Sequence, residues 1–421
     1  MNAAQRLAPL LTKLLGRNAA MHIEFWDGSS FGPADATARV VMSSPRALQR
    51  IIRAPGELGL GRAYVSGDLD IEGDVYAVLA LHDVRPDLRF GIGEWSAALR
   101  AAAGVGALSP RRLPVVPEEA RLQGRMHSRA RDAAAISHHY DVGNDFYRIV
   151  LGGSMTYSCA YFASPDQSLD DAQRDKHELI CRKLRLRTGE RLLDVGCGWG
   201  SFAIHAARTR GARVVGVTLS HPQADFASKR AAEAGVADRV EIRVQDERDV
   251  NDGPYDAISS VGMFEHVGAS RLSDYFTHLH ALLRPAGRLL NHGISRPPGP
   301  DKSRFARRSF IDSFVFPDGE LHGVGAVVSS MQNAGFEVRD VESLREHYAL
   351  TLRNWVRNLE SQRDEAVRLA GEGRYRVWRL YMAASARMFE AGNLQVHQVL
   401  AVKAEDGSSG VPLRRADIVL P

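Results

Sequence analysis

Hydrophobic and polar positions give the chain two regions of different rhythm. From about residue 136 onward, short apolar runs alternate with helical patterns. Strands are predicted at 191–195, 213–217, 240–244, 257–261 and 288–291. Helices are predicted from Ser168, where Asp171 stands at capping-box spacing, from 201 and from Pro222. Two helices over 349–390 and a strand at 394–403 complete this region. Such alternation predicts a mostly parallel sheet with helices on both faces. The earlier region is finer grained. Strands are expected at His22–Phe25 and 38–41, with a helix from Ser44-Pro45 to Ile52. Residues 2–17 form an amphipathic pattern in which Leu7, Leu10, Leu11, Leu14 and Leu15 recur at helical spacing while Arg6, Lys13 and Arg17 carry the charge. Such a helix either packs on its own domain or lies on an anionic membrane surface. The glycines of Gly56–Tyr64 do not join a buried strand to a long helix, so they are not read as a phosphate loop. A helix over 84–100 precedes 101–106 and 110–117, which break the periodicity. The predicted organisation is a small α+β domain over 1–100, a basic linker over 101–135 and an α/β domain over 136–421.

Composition narrows the setting. Of 421 residues, 44% are hydrophobic and 25% charged, the balance of a globular protein. No apolar run approaches the roughly 18 residues that span a bilayer, and no signal-peptide pattern opens the chain. A cytoplasmic location is expected. Cys159, Cys181 and Cys197 are too scattered for a disulfide framework or a zinc site. A net charge of +4 and a pI near 9.0 permit an anionic partner, and nothing points to nucleic acid. Arg111, Arg112, Arg121, Arg125, Arg129 and Arg131 make the linker basic. That is either a solvated connector or a headgroup-binding stretch, worth about 1 kcal/mol per residue near anionic lipid. Residues 296–322, with Lys302, Arg304, Phe305, Arg307, Arg308, Phe310, Phe314 and Phe316, are expected to form a lid or binding surface.

The chemistry centres on Leu192-Leu193-Asp194-Val195-Gly196-Cys197-Gly198-Trp199-Gly200-Ser201. A buried strand ends in an acid, three alternate glycines follow, and a helix begins. This is the ligand crevice of an open parallel sheet. A dinucleotide site would prefer G-x-G-x-x-G and an acid ending the second strand. Here the spacing is G-x-G-x-G and the second strand ends Val217-Thr218-Leu219-Ser220, without an acid. A sulfonium nucleoside needs close backbone approach and a carboxylate to balance positive charge, which is what Asp194, Gly196, Gly198 and Gly200 offer. The motif therefore points to S-adenosylmethionine.

Four blocks resemble the cyclopropane fatty acid synthases and the related mycolic acid cyclopropane synthases. They are His139–Tyr147, Met155–Tyr161, Gly196–Ser201 and Val261–Gly268. The resemblance spans about 136–403 and is weaker earlier, where Leu58–Gly61 and Gly67-Asp68 look like the small N-terminal domain of the bacterial phospholipid enzymes. It implies a class I SAM-dependent methyltransferase with a small α+β N-terminal domain that binds lipid. By motif, Tyr157 and Ser158 would cover the cofactor, Gly196 and Gly198 line it, Thr218 and Gln223 approach its ribose and methionine end, and Asp246 and Glu247 lie near the adenine.

The implied reaction transfers a one-carbon unit to the cis double bond of phospholipid acyl chains. It passes through a carbocation, and a bound bicarbonate takes the proton that lets a cyclopropane close. Cys159, Glu265, His292, Ile294 through its backbone, and Tyr348 match the family positions that hold this ion. Taken singly, Cys159 reads as a small buried residue, Tyr348 as helix-start packing, and His266 as structural. Ser385 stands where some members carry cysteine, which removes a thiol role there. Leu344–Leu352 and Leu394–Leu400 look closer to the branch that makes methylene- and methyl-branched chains, so that product is the alternative. The implied partners are unsaturated phospholipids at the inner leaflet of the cell membrane, a reductase if the product is methyl-branched, and a second copy of the chain if it dimerises.

Overall fold

A computed structural model describes residues 1–15, 21–80, 96, 100–109, 111–120, 124, 128, 131, 142–298, 309–317 and 319–419. His139, most of the expected helix 84–100, Arg17, Arg121, Arg125, Arg129, Lys302, Arg304, Phe305, Arg307 and Arg308 lie outside these residues. The chain forms two compact units. One comprises Met1–Arg121, Lys302–Pro317 and Arg363–Arg387, and the other Leu122–Asp301, Asp318–Gln362 and Met388–Pro421, each through its described residues.

The first unit holds a four-stranded mixed sheet in the order β2-β1-β3-β4, from β1 (Met21–Phe25), β2 (Ser30–Phe31), β3 (Ala38–Met42) and β4 (Leu69–Gly73). Helix α1 (Ala3–Leu15) is fastened to the β1–β2 turn. The Ala3 N–H donates to Asp27 (2.7 Å) and the Ala4 N–H to Ser29 Oγ (3.0 Å), and Leu7 is buried. Helices α2 (Arg46–Arg53) and α3 (Glu57–Val65) pack so closely that a Cβ on Gly59 would meet the carbonyl oxygens of Ala54 and Arg50 at 2.2 and 2.8 Å. Gly59 thus serves helix packing, and a Cβ on Gly61 would strike the Phe310 ring. A short helix α4 (Val75–Ala80) follows β4.

Two expectations are corrected here. Residues 101–109 and 111–120 of the expected linker are pinned to this unit. Gln49 donates to Gly106 O (2.9 Å), Arg50 to Pro114 O (3.0 Å), Arg53 to Ser109 O (2.8 Å), and Arg62 pairs with Glu119. The contiguous boundary at 136 also misses 309–317 and 363–387, which belong to the first unit. Phe310 and Phe314 stack at 4.8 Å, and Phe316 meets Tyr381 edge-on. Phe310 and Phe314 are therefore core residues rather than the surface of a lid. In the helix Glu372–Glu390, Arg376 donates to Tyr64 O and Leu69 O and pairs with Asp70, while Arg379 donates to Ile71 O and Gly73 O. A contiguous reading of sequence has no access to such returns of the chain.

The second unit is a seven-stranded sheet in the order β10-β11-β9-β8-β5-β6-β7. Strands β5 (Arg191–Val195), β6 (Arg213–Thr218), β7 (Val240–Val244), β8 (Tyr255–Val261) and β9 (Leu283–Ser295) are mutually parallel, and β11 (Gln395–Val402) runs antiparallel to β9 and to β10 (Glu337–Ser343). The central strands β5, β6, β8 and β9 are largely buried on both faces, as helix-covered parallel strands are. The helices are α5 (Asn144–Leu151), α6 (Leu169–Lys183), α7 (Ser201–Arg210), α8 (His221–Glu233), α9 (Leu272–Leu282), α10 (Val324–Asn333) and α11 (Arg345–Ser361). Ser168 caps α6 by accepting from the Asp171 N–H, and Ser220 caps α8 by accepting from the Gln223 N–H. The switch in strand order between β5 and β8 opens the crevice at their carboxyl ends, where the glycine turn lies. No helix among the described residues is long and apolar enough to cross a membrane.

Candidate active site

The turn after β5 has the geometry its glycines predict. Gly196, Gly198 and Gly200 all have positive φ, at +72°, +55° and +75°. Gly200 opens α7, and a Cβ there would stand 2.9 Å from Ala227 Cβ, so this glycine lets α7 and α8 approach. Gly196 and Gly198 line a cavity with Tyr157, Ser158, Asp194, Thr218, Gln223 and Glu247. Eight of the ten expected cofactor residues are thereby brought together. The other two are turned to packing: Gly200 as above, and Asp246 as the cap of the 3-10 turn Glu247–Asp249, paired with Arg248 at 2.6 Å.

The wall opposite the glycines is built from the second sequence block. Tyr157 packs against Trp355 of α11 (5.2 Å) and Tyr147 of α5 (5.9 Å), and Tyr147 packs on Trp199 of the glycine turn (4.6 Å). Trp199 also donates to Asn144 (2.8 Å). Helix α6 grips this wall from behind. Gln173 donates to Ser158 O (2.9 Å), and the Lys176 ammonium donates to Ser158 Oγ (3.0 Å). Lys176 and His177 line the cavity, yet sequence reasoning passed over both. A signal existed: Leu169, Ala172, Gln173, Lys176, Ile180 and Lys183 recur at helical spacing, so a lysine falls on the buried stripe.

Burial sets the charges. Asp194 is buried, which pushes its carboxyl up to about 6 despite the Ser259 hydroxyl at 2.6 Å and the nearby Lys176. Burial draws Lys176 down to about 7, partly offset by Cys159 and Asp194. Burial, helped by Asp246, lifts Glu247 to about 7. Thr218 Oγ1 donates to Gln223 Oε1 (2.9 Å), which leaves the Gln223 amide N–H groups for a ligand.

The five expected catalytic residues fall into two tied groups. Glu265 Oε1 accepts from the Ile294 N–H at 2.7 Å, and His292, two residues earlier on β9, shares a hydrogen bond with Gln398 of β11 (3.2 Å). Gly293 between them is obligatory, because a Cβ there would stand 1.8 Å from the Phe264 ring. On the other side, Cys159 Sγ and the Tyr348 N–H both reach Leu344 O at the start of α11, at 3.6 and 3.1 Å. Tyr348 packs edge-on against Trp355 at 6.0 Å, and through that ring reaches Tyr157 and the cavity wall. Glu265 Oε2 is buried and has no hydrogen-bond partner among the described residues. Burial pushes the Glu265 carboxyl up to about 7 against the pull of the Ile294 N–H. Burial holds His292 well below the usual imidazole range, so it is neutral, and burial raises the Cys159 thiol, so it is no thiolate. Ser385 is buried in the helix Glu372–Glu390 of the first unit.

Residues 127–399 match the family model for mycolic acid cyclopropane synthetase. The chain belongs to this family. It is also 45% identical over 400 residues, 92% of each chain, to a probable fatty acid methyltransferase, Rv3720, of Mycobacterium tuberculosis. The tuberculostearic acid methyltransferase UfaA1 of that organism is 34% identical over 93% of this chain and 90% of its own. Among solved structures, the mycolic acid cyclopropane synthase CmaA1 complexed with SAH and CTAB superposes with a TM-score of 0.60 at 35% identity, covering 64% of this chain and 98% of that one. This member of the cyclopropane synthase family is thus a class I SAM-dependent methyltransferase, and S-adenosylmethionine is its methyl donor. The fit is visible in the residues: positive-φ glycines, a buried acid and a free amide surround one cavity. When bound, the cofactor supplies an electrophilic methyl on sulfur.

Proposed function

We propose that this enzyme adds a one-carbon unit from S-adenosylmethionine to the cis double bond of unsaturated phospholipid acyl chains and closes it to a cyclopropane. The alkene π pair forms the new C–C bond as the C–S bond breaks, and sulfur leaves with its electron pair. The neighbouring carbon becomes cationic. Loss of a proton from the new methyl then lets its C–H pair close the ring. The cation demands a dry pocket, and a protein carboxylate beside it would risk alkylation. A bound bicarbonate is the base in this reading. The observation that carries it is Glu265, with Oε1 held by the Ile294 N–H and Oε2 buried without a partner. An ionised Glu265 accepts the hydroxyl proton of the ion, while Tyr348 and His292 donate to its oxygens and the Ile294 backbone and Cys159 complete the setting. Exposed Arg111 and Arg112 support docking of the enzyme on an anionic membrane face, peripheral to the inner leaflet.

A second reading has its own support. Two relatives that match over 90% of this chain bear the names of fatty acid methyltransferases, one of them for tuberculostearic acid. After the same methyl transfer, a hydride shift to the cationic carbon followed by loss of a methyl proton leaves a methylene branch, which a partner reductase would saturate. Vesicles of cis-unsaturated phospholipid incubated with S-adenosylmethionine distinguish the two. Acyl esters heavier by one CH2 and lacking any olefin identify the ring, a retained olefin identifies the branch, and unaltered lipid rejects both.

A further inference from the structure

Lys176 has a situation that neither the cofactor motif nor the proposed base accounts for. Its side chain is 1% exposed, yet it lines the cofactor cavity. An ammonium has three N–H donors, and one of them goes to Ser158 Oγ at 3.0 Å. No carboxylate among the described residues hydrogen-bonds the amine. The nearest acid in charge terms, Asp194, accepts instead from Ser259 at 2.6 Å. A buried cation with unused donors and no paired acid is costly, and an anionic ligand group would relieve that cost. The amino-acid end of the cofactor carries one carboxylate and one ammonium. The cavity offers that zwitterion one positive and one negative side chain, Lys176 and Asp194.

We propose that the Lys176 ammonium binds the carboxylate at the amino-acid end of the cofactor, with the Ser158 hydroxyl as its fixed neighbour. The assignment rests on the cofactor and is independent of which acyl product forms. It makes the lysine a subsite for cofactor and product alike, since S-adenosylhomocysteine keeps the carboxylate. It also gives α6 a reason to present a lysine on its buried stripe. The titratable groups whose charge is coupled to this amine are Cys159, Asp194, His177, His205 and His292.

Calorimetry with two ligands tests this without turnover. S-adenosylhomocysteine carries the amino-acid end, and 5′-deoxy-5′-methylthioadenosine has the same nucleoside without it. In Lys176→Met, affinity for S-adenosylhomocysteine should fall roughly 10–100-fold, while that for the methylthio nucleoside stays within about twofold. Equal losses for both ligands would mean that the lysine only props up the wall, and no loss for either would remove it from the site. A second measurement uses the unmodified protein, so it stands if the variant fails to fold. At pH 8 Lys176, with its amine drawn down to about 7, is mostly neutral. Asp194 is already ionised at about 6, the histidines are neutral and the Cys159 thiol is protonated. Carboxylate binding should then draw roughly half a proton or more onto the lysine, read from binding enthalpies in buffers of different ionisation enthalpy. The methylthio nucleoside should show no such uptake, and it controls for Glu247 and Glu265. Equal uptake for the two ligands, or none for either, would overturn the assignment.

Discussion

At Glu265 stability and function pull in opposite directions. Its carboxyl, buried and held by one backbone N–H, is pushed up to about 7, above its unfolded value. The folded state therefore binds the proton more tightly than the unfolded chain, and the penalty of ionising it grows as pH rises from about 4.5 through 7. Glu265→Gln should accordingly be more stable than the parent at pH 8, by up to about 3 kcal/mol, with the difference vanishing below about pH 4.5. Denaturant melts at the two pH values check the sign. The same variant should lose at least 100-fold in turnover while binding S-adenosylhomocysteine normally. Full activity would remove Glu265 from the anion site. Residue identity was legible where a motif carries it: Asp194, Gly196 and Gly198 stand where the spacing places them. Lys176 was not, because a lysine within a helical repeat reads as solvated until its stripe is seen to be buried.

Among the elements, β9 binds fold and site together. It spans Leu283–Ser295, longer than the 288–291 predicted, and its last turns of sequence carry His292, Gly293 and Ile294. The extension was illegible because Pro285 and Gly287 read as a turn, yet they lie inside the strand. Strand β10 was missed for a related reason. Glu337-Val338-Arg339-Asp340-Val341 is an edge strand whose charges mask its alternation. The antiparallel pairing of β11 with β9 and β10 was unreadable from β11 alone. Gly293 makes β9 testable. Gly293→Ala drives a methyl into the Phe264 ring, whose neighbour is Glu265. Overpacking should cost about 1–3 kcal/mol and, by displacing Glu265, lower kcat at least tenfold. S-adenosylhomocysteine affinity should stay within about twofold, since Gly293 is not among the residues lining the cofactor cavity. A kcat near that of the parent would show that β9 does not position the carboxyl.

Across the whole molecule, buried cations fasten segments distant in sequence. In the second unit Lys183 is wholly buried between Asp340 (2.9 Å) and Glu342 (2.6 Å), and Arg415 joins Asp340 at 2.5 Å. Burial raises Asp340, but Lys183 and Arg415 outweigh it and hold the carboxyl below its usual range. Its contribution is present above the unfolded carboxylate value and is lost as pH falls through the lower folded one. Lys183→Met leaves two carboxylates without their central cation and should cost about 3–5 kcal/mol at pH 7, measured by denaturant melts, with a smaller loss in strong acid. An unchanged midpoint would show the network to be neutral. Arg376 and Arg379 do comparable work in the first unit by closing strand carbonyls. Such long-range ties explain why the α/β class was readable from the order of strands and helices, whereas the two units were not divisible by a single cut. The chemistry that the second unit is proposed to perform is tested most directly with S-adenosylmethionine carrying a trideuterated methyl. After incubation with cis-unsaturated phospholipid vesicles, mass spectra of the acyl esters should show a transferred carbon with two deuterium atoms, the third having left to the anion held by Glu265. Three deuterium atoms on that carbon, or unlabelled lipid, would contradict the account.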